Sequence, residues 1–205
     1  MAAQVKVAVI YYSATGITYQ MAQAACEAAG DAGAEVRLRK VRELAPDEAI
    51  RSNSGWQAHR LETQNVDEAE PDDLAWADVV IFGSPTRFGL VTAQLKQFID
   101  TTGPLWENGV LADKVYSAFT STATEHGGQE STLLSLFHVF YHWGGIVVAP
   151  GYTEPSQFTA GNPYGASHTS NNGETAPGHV ALAATALTAK RAVRIGGALK
   201  QGLAG

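Results

Sequence analysis

The feature that most constrains the fold of this chain is an apolar run that ends in a hydroxyl-rich turn. The run Val5–Tyr11 has the composition of a buried parallel strand, and the segment Ile17–Ala29 after the turn has the pattern of a helix. The first N–H groups of a helix have no internal partners, and the helix dipole is positive at that end. The turn also offers the hydroxyls of Ser13, Thr15 and Thr18 but no lysine. This pattern predicts a site for a phosphomonoester held by hydrogen bonds, with helix capping by the same hydroxyls as the alternative.

The composition is that of one globular domain and disfavours several other classes of protein. The 205 residues are 45% hydrophobic and 17% charged, and 14 basic against 20 acidic residues give a net charge of −6. No basic stripe suggests nucleic-acid binding. The single cysteine, Cys26, excludes an intrachain disulfide framework and a cysteine metal cluster. We see no secretory signal pattern and no apolar run long enough to span a bilayer, so we expect a cytoplasmic protein without membrane insertion.

Strand-like and helix-like segments alternate along the chain. The apolar runs that we interpret as buried strands are Val5–Tyr11, Glu35–Arg39, Val79–Phe82, Val115–Phe119 and Ile146–Ala149. The segments with helical spacing are Ile17–Ala29, Val91–Thr101, Glu130–Trp143 and Pro177–Leu199. This alternation is typical of an α/β fold with a parallel sheet and right-handed crossovers.

Two longer segments fit neither the strand nor the helix period. Residues 41–75 are too many for a plain connection, although Pro46–Arg51 could form a short helix, and residues 151–177 are rich in Gly, Asn, Ser and Thr. Long loops in a compact domain usually serve a site or an interface, and the alternative is disordered decoration. Without an internal repeat or a linker, we expect a single domain over residues 1–205 with insertions at about these two positions.

Three loops that follow predicted strands are rich in hydroxyls and glycine. Ligands bind outside the carboxyl ends of the strands in an open parallel sheet, so we expect these loops to meet at one edge. They are Ser13–Thr18, Gly83–Gly89 and Thr120–Gln129. In the second loop, Pro85 stiffens the turn, and Arg87 and Phe88 could flank a planar ring. The alternative is an ordinary Ser-Pro-Thr turn with Phe88 in the core.

A few further side chains are candidates for chemistry. Glu125 and His126 in the third loop are either acid–base groups or exposed loop residues. His138 and His142 stand four apart on a predicted helix, but no third ligand is evident, so we predict no metal site. His142 could instead bond a polar ligand edge. Trp106, beside glycine and proline, is either a packing plug or a wall for an aromatic substrate.

Taken together, the motifs resemble those of the WrbA-type NAD(P)H:quinone oxidoreductases, which are flavodoxin-like proteins that bind FMN. The motifs are Tyr-Tyr-Ser-x-Thr-Gly-x-Thr from Tyr11, Gly-Ser-Pro-Thr-Arg-Phe-Gly from Gly83, Thr-Gly-Pro-Leu-Trp from Thr102, the Ser-Thr loop from Ser121 that ends in Gly-Gly-Gln-Glu, and Asn-Pro-Tyr-Gly-Ala from Asn162. The resemblance extends from about Val5 to beyond Tyr164.

The resemblance implies a flavodoxin-like, doubly wound, five-stranded parallel sheet of order 2-1-3-4-5 with helices on both faces. By position it assigns the FMN phosphate to the first loop, the ribityl and isoalloxazine groups to the second, the ring edge to the third and the pyrimidine side to His142. The implied cofactor-binding residues are Ser13, Ala14, Thr15, Gly16, Ile17, Thr18, Pro85, Thr86, Arg87, Phe88, Gly89, Ser121, Thr122, Ala123, Thr124, Glu125, His126, Gly127 and His142. The implied substrate-binding residues are Thr15 and Trp106, the latter from a neighbouring subunit.

The function that this resemblance implies is two-electron hydride transfer from NADH or NADPH through FMN to a quinone. No dedicated catalytic side chain is required, because the flavin carries the chemistry. Family members resemble tetramers with the site at a subunit junction, so we expect a homotetramer built as a dimer of dimers. The first alternative is a flavodoxin-type electron carrier, and the second is an assembly protein with a vestigial site.

The chain departs from the family pattern in two places. Thr15 stands where the family often has a tyrosine that stacks near the nicotinamide nucleotide, so it keeps a hydroxyl for phosphate but lacks the ring. The third loop has Ala123 followed by Glu125 and His126, where the family favours glycines. We expect FMN binding to survive these changes, and we expect substrate access and reduction potential to change.

Overall fold

The computed structural model of the chain describes residues 4–203, so residues 1–3 and 204–205 of the expected domain lie outside the description. The strands are β1 (Lys6–Tyr11), β2 (Glu35–Lys40), β3 (Val79–Pro85), β4 (Val115–Thr122), β5 (Ile146–Val147) and β6 (Ala166–Thr169). The helices are α1 (Ile17–Asp31), α2 (Asp47–Arg51), α3 (Ser54–Glu62), α4 (Pro71–Trp76), α5 (Ala93–Asp100), α6 (Gly103–Glu107), α7 (Gln129–His142), α8 (Ser156–Ala160) and α9 (His179–Leu203).

The strands form one parallel sheet in the order β2-β1-β3-β4-β5, which confirms the expected order 2-1-3-4-5. Strand β1 lies between β2 and β3, with Val9 opposite Leu38 on one side and Ile81 on the other. The strand order therefore reverses beside β1, and the loop after β1 lies where such sheets bind ligands.

The fifth position of the sheet is filled by two short strands in succession. Strand β5 has only two residues and pairs with the beginning of β4, whereas β6 pairs with the end of β4, with Phe119 opposite Ala166. The predicted strand Ile146–Ala149 was therefore too long, and Ile146 is 37% exposed rather than buried. The sheet has a sixth strand that we did not predict, because its sequence Ala-Ser-His-Thr has no apolar run and is stabilised by pairing with β4.

Helices cover both faces of the sheet, as the doubly wound fold requires. Along β1, Val7 and Val9 pack with buried residues of α1 and α9, and Ala8 and Ile10 pack on the opposite face with buried residues of α4, α5 and α7. This alternation follows from the period-two direction of side chains along a strand. The close approach of α9 to the sheet needs Gly196, since an added Cβ there would lie 2.4 Å from a methyl carbon of Val79.

The helices predicted from periodicity are present with shifted ends. Helix α5 begins at Ala93 rather than at Val91, because the hydroxyl of Thr92 accepts a hydrogen bond from the N–H of Leu95 and caps the first turn. Every helix among residues 4–203 is too short or too polar to span a lipid bilayer.

The first long insertion contains three helices rather than a plain loop. Helix α2 corresponds to the short helix predicted at Pro46–Arg51, and α4 begins at Pro71. Helix α3 was missed. His59 is its one buried side chain, so it shows no apolar stripe, and it is started by the Asn53 side chain, which accepts from the Trp56 N–H at 3.0 Å.

Candidate functional site

The three hydroxyl-rich loops meet at the carboxyl edge of the sheet around a cavity of about 330 Å³. The residues of those loops that line it are Ser13, Ala14, Thr15, Ile17, Thr18, Pro85, Thr86, Arg87, Ser121, Thr122 and Ala123. Parallel strands present their carboxyl ends at the same edge, and this geometry brings residues from distant parts of the sequence together. The volume lies within the ordinary range for small-molecule sites, about 300 to 1,000 Å³.

The turn after β1 leaves the N-terminus of α1 open to the cavity. Gly16 precedes the helix with φ +93°, a left-handed conformation that glycine adopts without steric penalty. The Ser13 hydroxyl accepts the Gly16 N–H at 3.1 Å, but no side chain among residues 4–203 accepts an N–H of the first turn of α1. The alternative that these hydroxyls cap the helix is therefore wrong, and the N–H groups of the first turn remain for an anionic ligand.

The loop after β3 folds into a tight hairpin. Arg87 and Leu90 exchange both backbone hydrogen bonds, at 2.8 and 3.0 Å, and the two residues between them have positive φ, +54° at Phe88 and +79° at Gly89. The Phe88 ring is fully exposed, so the alternative that places it in the core is wrong. Neither Phe88 nor Gly89 lines the cavity, although Arg87 does.

Hydrogen bonds and close backbone packing join the loops after β3 and β4. The Thr86 hydroxyl accepts from the Gly89 N–H at 3.1 Å and from the Thr132 hydroxyl at 2.9 Å. A Cβ added at Gly128 would lie 2.8 Å from the Gly89 Cα, so the two backbones can come this close only with glycine at position 128. These contacts fix the second loop before any ligand arrives.

The loop after β4 divides into a buried part and an exposed part. Thr122 is buried; its hydroxyl donates to the Thr124 carbonyl at 2.8 Å and accepts from Gln129 at 3.0 Å. Glu125 and His126 are exposed, and neither they nor Thr124 and Gly127 line the cavity.

Two other predicted site residues lie together outside the cavity. The Trp106 indole N–H donates to the His142 carbonyl oxygen at 2.9 Å, and the Trp106 side chain is about half exposed. Cofactor contact by His142 and substrate contact by Trp106 both stay predictions. Within residues 4–203, no group of three or more His, Cys, Asp or Glu side chains is placed to hold a metal ion.

Residues that the sequence analysis missed form the outer wall of the cavity. They are Asn53 and Trp56 around the start of α3, and Ser170, Asn172 and Gly173 after β6. The Asn-Asn-Gly sequence after Ser170 signals a turn, and both asparagines have positive φ. Nothing local in either segment indicates that it reaches the first loop.

The two outer segments meet at Thr15. A Cβ added at Gly55 would lie 3.7 Å from the Thr15 methyl carbon, and one added at Gly173 would lie 3.5 Å from its hydroxyl oxygen. The Ser170 N–H and hydroxyl both donate to the Thr122 carbonyl, at 2.8 and 3.0 Å, which anchors the later segment to β4. Thr15, which is exposed, thus lies between the insertion after β2 and the loop after β6.

The electrostatics of the cavity depend on backbone dipoles more than on cationic side chains. Among the described residues that line it, Arg87 is the one lysine or arginine. His59 is buried outside the cavity. Its Nδ1 atom lies 3.2 Å from the Glu62 carboxylate and would lie 3.4 Å from a Cβ added at Gly16. Burial lowers the pKa of His59 despite that carboxylate, so the ring is neutral at neutral pH.

Comparison with protein families and curated sequences gives consistent results. Residues 5–159 match the model of a family described as NADPH-dependent FMN reductase. An NAD(P)H dehydrogenase (quinone) from Deinococcus radiodurans is 51% identical over 172 residues, which are 83% of this chain and 86% of that relative. A second protein of that name, from Aromatoleum aromaticum, is 41% identical over 206 residues, 97% of this chain and 99% of the relative.

A solved structure shows the same architecture. The crystal structure of a flavodoxin, a WrbA-like protein from Agrobacterium tumefaciens, superposes with a TM-score of 0.66 at 26% identity. The superposition covers 94% of this chain and 98% of that one, so the split fifth strand and both insertions fall within a flavodoxin-like fold.

Proposed function

The chain belongs to the NADPH-dependent FMN reductase family, and from that premise we propose that it is an FMN-dependent NAD(P)H:quinone oxidoreductase. In the proposed reaction, NADH or NADPH gives up a hydride and a quinone receives two electrons. The relatives named NAD(P)H dehydrogenase (quinone) support this assignment because they match over most of their length.

The observation that carries the proposal is the cavity where the uncapped start of α1 meets the loops after β3 and β4. Its donors suit a mononucleotide. The Ser13–Thr18 turn supplies hydroxyls and N–H groups for a phosphate, and Gly55 and Gly173 lie beside Thr15 on its outer side. Pro85–Arg87 and Ser121–Ala123 would hold the ribityl chain and the ring.

When FMN is bound, it supplies the hydride and electron chemistry, and the chain binds and orients the reactants. The hydrogen bonds that fix Thr86 and Thr122 preorganise the two loops that would face the ring. Backbone donors on these loops are suited to stabilise negative charge that develops on a bound ligand. One open face that serves both substrates in turn predicts ping-pong kinetics.

The proposal includes a homotetramer, built as a dimer of dimers, with Trp106 from a neighbouring subunit as a wall of the substrate pocket. Its support is an exposed set of large apolar side chains that includes Phe88, Trp106 and Tyr141. Light scattering after size-exclusion chromatography tests the mass of the assembly. A cytoplasmic location is also part of the proposal, because the reaction consumes reduced nicotinamide nucleotides.

Anaerobic stopped-flow mixing tests the activity. Protein loaded with FMN is mixed with NADH and then with benzoquinone while the visible absorbance is followed. The proposal expects rapid bleaching by NADH followed by rapid recovery of colour with the quinone. Failure to bleach would favour an electron carrier, and purified protein that takes up no FMN would favour a vestigial site.

A further inference from the structure

A carboxylate outside the cofactor cavity gathers hydrogen bonds from three elements. One oxygen of Glu43 accepts from the Tyr12 hydroxyl at 2.8 Å and from the Trp56 indole N–H at 3.0 Å. The other accepts from the Gln94 amide at 2.8 Å and from the two backbone N–H groups that follow Glu43, each at 2.9 Å. The carboxylate therefore ties the insertion after β2 to the end of β1 and to α5.

Trp56 is shared between the cofactor cavity and a second cavity beside it. The second cavity, of about 270 Å³, lies between the ends of β1 and β2 and the helices of the insertion. Trp56 and Ser13 line both cavities, so the indole forms part of the partition between them. Without Glu43, the Trp56 indole N–H would have no hydrogen-bond partner among the described side chains.

We propose that Trp56 is a further cofactor-binding residue, which covers the phosphate end of the cavity, and that Glu43 is the positioning residue that holds its indole in place. This inference rests on the proposed function, since the ligand is FMN in both cases. The assignment is separate from the three loops at the strand ends, because both residues come from the insertion after β2.

The Trp56 indole would strengthen phosphate binding because it would exclude water from that end of the cavity. The Ser13–Thr18 turn offers a phosphate neutral donors and contains no lysine, so the hydrogen bonds that it would make compete directly with water. Hydrogen bonds strengthen where solvent is excluded and the local dielectric constant is low. A fixed indole beside Ser13, with Asn53 on the same wall, therefore tightens binding without adding a charge.

Glutamine cannot fully replace Glu43 as the acceptor of these hydrogen bonds. An indole N–H can only donate, whereas a tyrosine hydroxyl can donate or accept. In Glu43→Gln, one carboxylate oxygen becomes an NH₂ group. If the remaining oxygen accepts from the backbone N–H groups, the new NH₂ group lies against the Tyr12 hydroxyl and the Trp56 indole. The Tyr12 hydroxyl can then accept a hydrogen bond from the NH₂ group. The indole N–H can only donate, so it loses its acceptor.

The charge state of Glu43 agrees with this role. Partial burial by itself raises the pKa of the carboxyl, but the hydrogen bonds from Ala45, Gln94, Tyr12 and Trp56 together outweigh it and lower the pKa below its ordinary value. The group is therefore ionised at neutral pH, and its hydrogen bonds are charge-assisted.

Titration of apoprotein with FMN, followed by flavin fluorescence, tests the assignment. We expect Glu43→Gln and Trp56→Phe each to raise the dissociation constant about tenfold, as expected for loss of one charge-assisted hydrogen bond. We expect the double variant to bind no more weakly than either single variant, because both changes break the same contact. Glu68→Gln is the matched control: Glu68 lines the second cavity but pairs with Arg42 at 3.1 Å on the surface.

Tryptophan emission gives a second readout that does not depend on activity. We expect saturation with FMN to quench the emission of Trp56 strongly, so Trp56→Phe should remove a large share of the total quenching. Trp76→Phe is the control, because Trp76 packs on Arg37 at 3.9 Å at the amino end of the sheet. Melting temperatures of the apoproteins show whether each variant is folded, and Trp56→Phe carries the test if Glu43→Gln does not fold.

The outcomes separate this assignment from the proposed function. Wild-type protein that takes up no FMN would overturn both. Wild-type binding with unchanged dissociation constants in folded Glu43→Gln and Trp56→Phe would overturn this assignment alone. Unchanged quenching in Trp56→Phe would also overturn it, because an indole in the cavity wall must sense the flavin.

Discussion

Thr18 on α1 and Ser121 on β4 share a hydrogen bond of 3.0 Å between their hydroxyl oxygens, although they stand 103 positions apart in the sequence. Both side chains are buried, and both line the cofactor cavity. The bond joins the phosphate turn to the loop proposed to hold the ring edge, so it sets the distance between two parts of one ligand site.

We therefore expect Thr18→Val to weaken FMN binding. Valine has nearly the same shape but no hydroxyl, so Ser121 would keep a buried polar atom without this partner, at a cost of about 1–3 kcal/mol. The measurements are the free energy of unfolding and the FMN dissociation constant. Thr185→Val is the matched control: that hydroxyl bonds the Ala181 carbonyl within α9 at 2.8 Å, so its loss should leave FMN affinity unchanged. Equal FMN affinity in wild type and Thr18→Val would contradict the role of the bond.

Gly16→Ala should impair the phosphate turn. Its φ of +93° disfavours any residue with a Cβ, at a cost of about 1–2 kcal/mol, and the new methyl would lie 3.4 Å from the His59 ring. Gly33→Ala carries similar strain, with φ +86°, but meets nothing within 4 Å. Denaturant unfolding should show a loss of stability in both variants, whereas FMN titration should show a loss of affinity only in Gly16→Ala. Equal FMN affinities in the two variants would count against the turn as the phosphate site.

Two helical glycines should respond in opposite directions to the same substitution. Gly196→Ala on α9 places a methyl 2.4 Å from a Val79 methyl carbon, so we expect overpacking to lower the free energy of unfolding by about 1–3 kcal/mol. Gly30→Ala on α1 meets nothing within 4 Å, and alanine favours helix by about 0.5–1 kcal/mol, so this variant should be more stable. Chemical denaturation measures both, and a stable Gly196→Ala would show that α9 can move away from the sheet.

Acidification should destabilise the fold through His59. Because burial lowers its pKa in the folded state, the unfolded chain binds more protons at this residue as the pH falls below about 6.5. Its contribution to stability is therefore present above that value and is lost as the pH falls toward the folded-state pKa. We expect the free energy of unfolding to decrease between about pH 7.5 and about pH 5.5, and His59→Asn to flatten that slope.

Measurements at about pH 8 provide the internal control for His59, because both the folded and the unfolded chain then hold this ring neutral. The difference in stability between wild type and His59→Asn at that pH reports the packing and hydrogen bonding of the side chain without a contribution from its protonation. If the free energy of unfolding of His59→Asn falls with acidification as steeply as that of wild type, the acid sensitivity belongs to other groups.

The part of the fold that follows from local pattern could be predicted. The apolar runs at β1, β3 and β4 are long enough to identify buried strands, and their order along the chain identifies the parallel sheet. Their loops could be placed at one site because carboxyl ends of parallel strands share an edge. Strand β6 and helix α3 could not be predicted, since β6 has only four residues and α3 buries a single side chain.

The sequence by itself determined the turn that opens α1, the parallel order of the strands and the three loops of the cavity. These depend on periodicity, glycine and hydroxyl groups within a few residues of one another. Only the tertiary structure decided the outer wall, where Asn53 and Trp56 line the same cavity as Asn172 and Gly173, with Thr15 between the two segments. Those segments are placed by contacts between residues that are separated in the sequence, such as Glu43 with Trp56 and Ser170 with Thr122, which leave no repeating signal in the sequence.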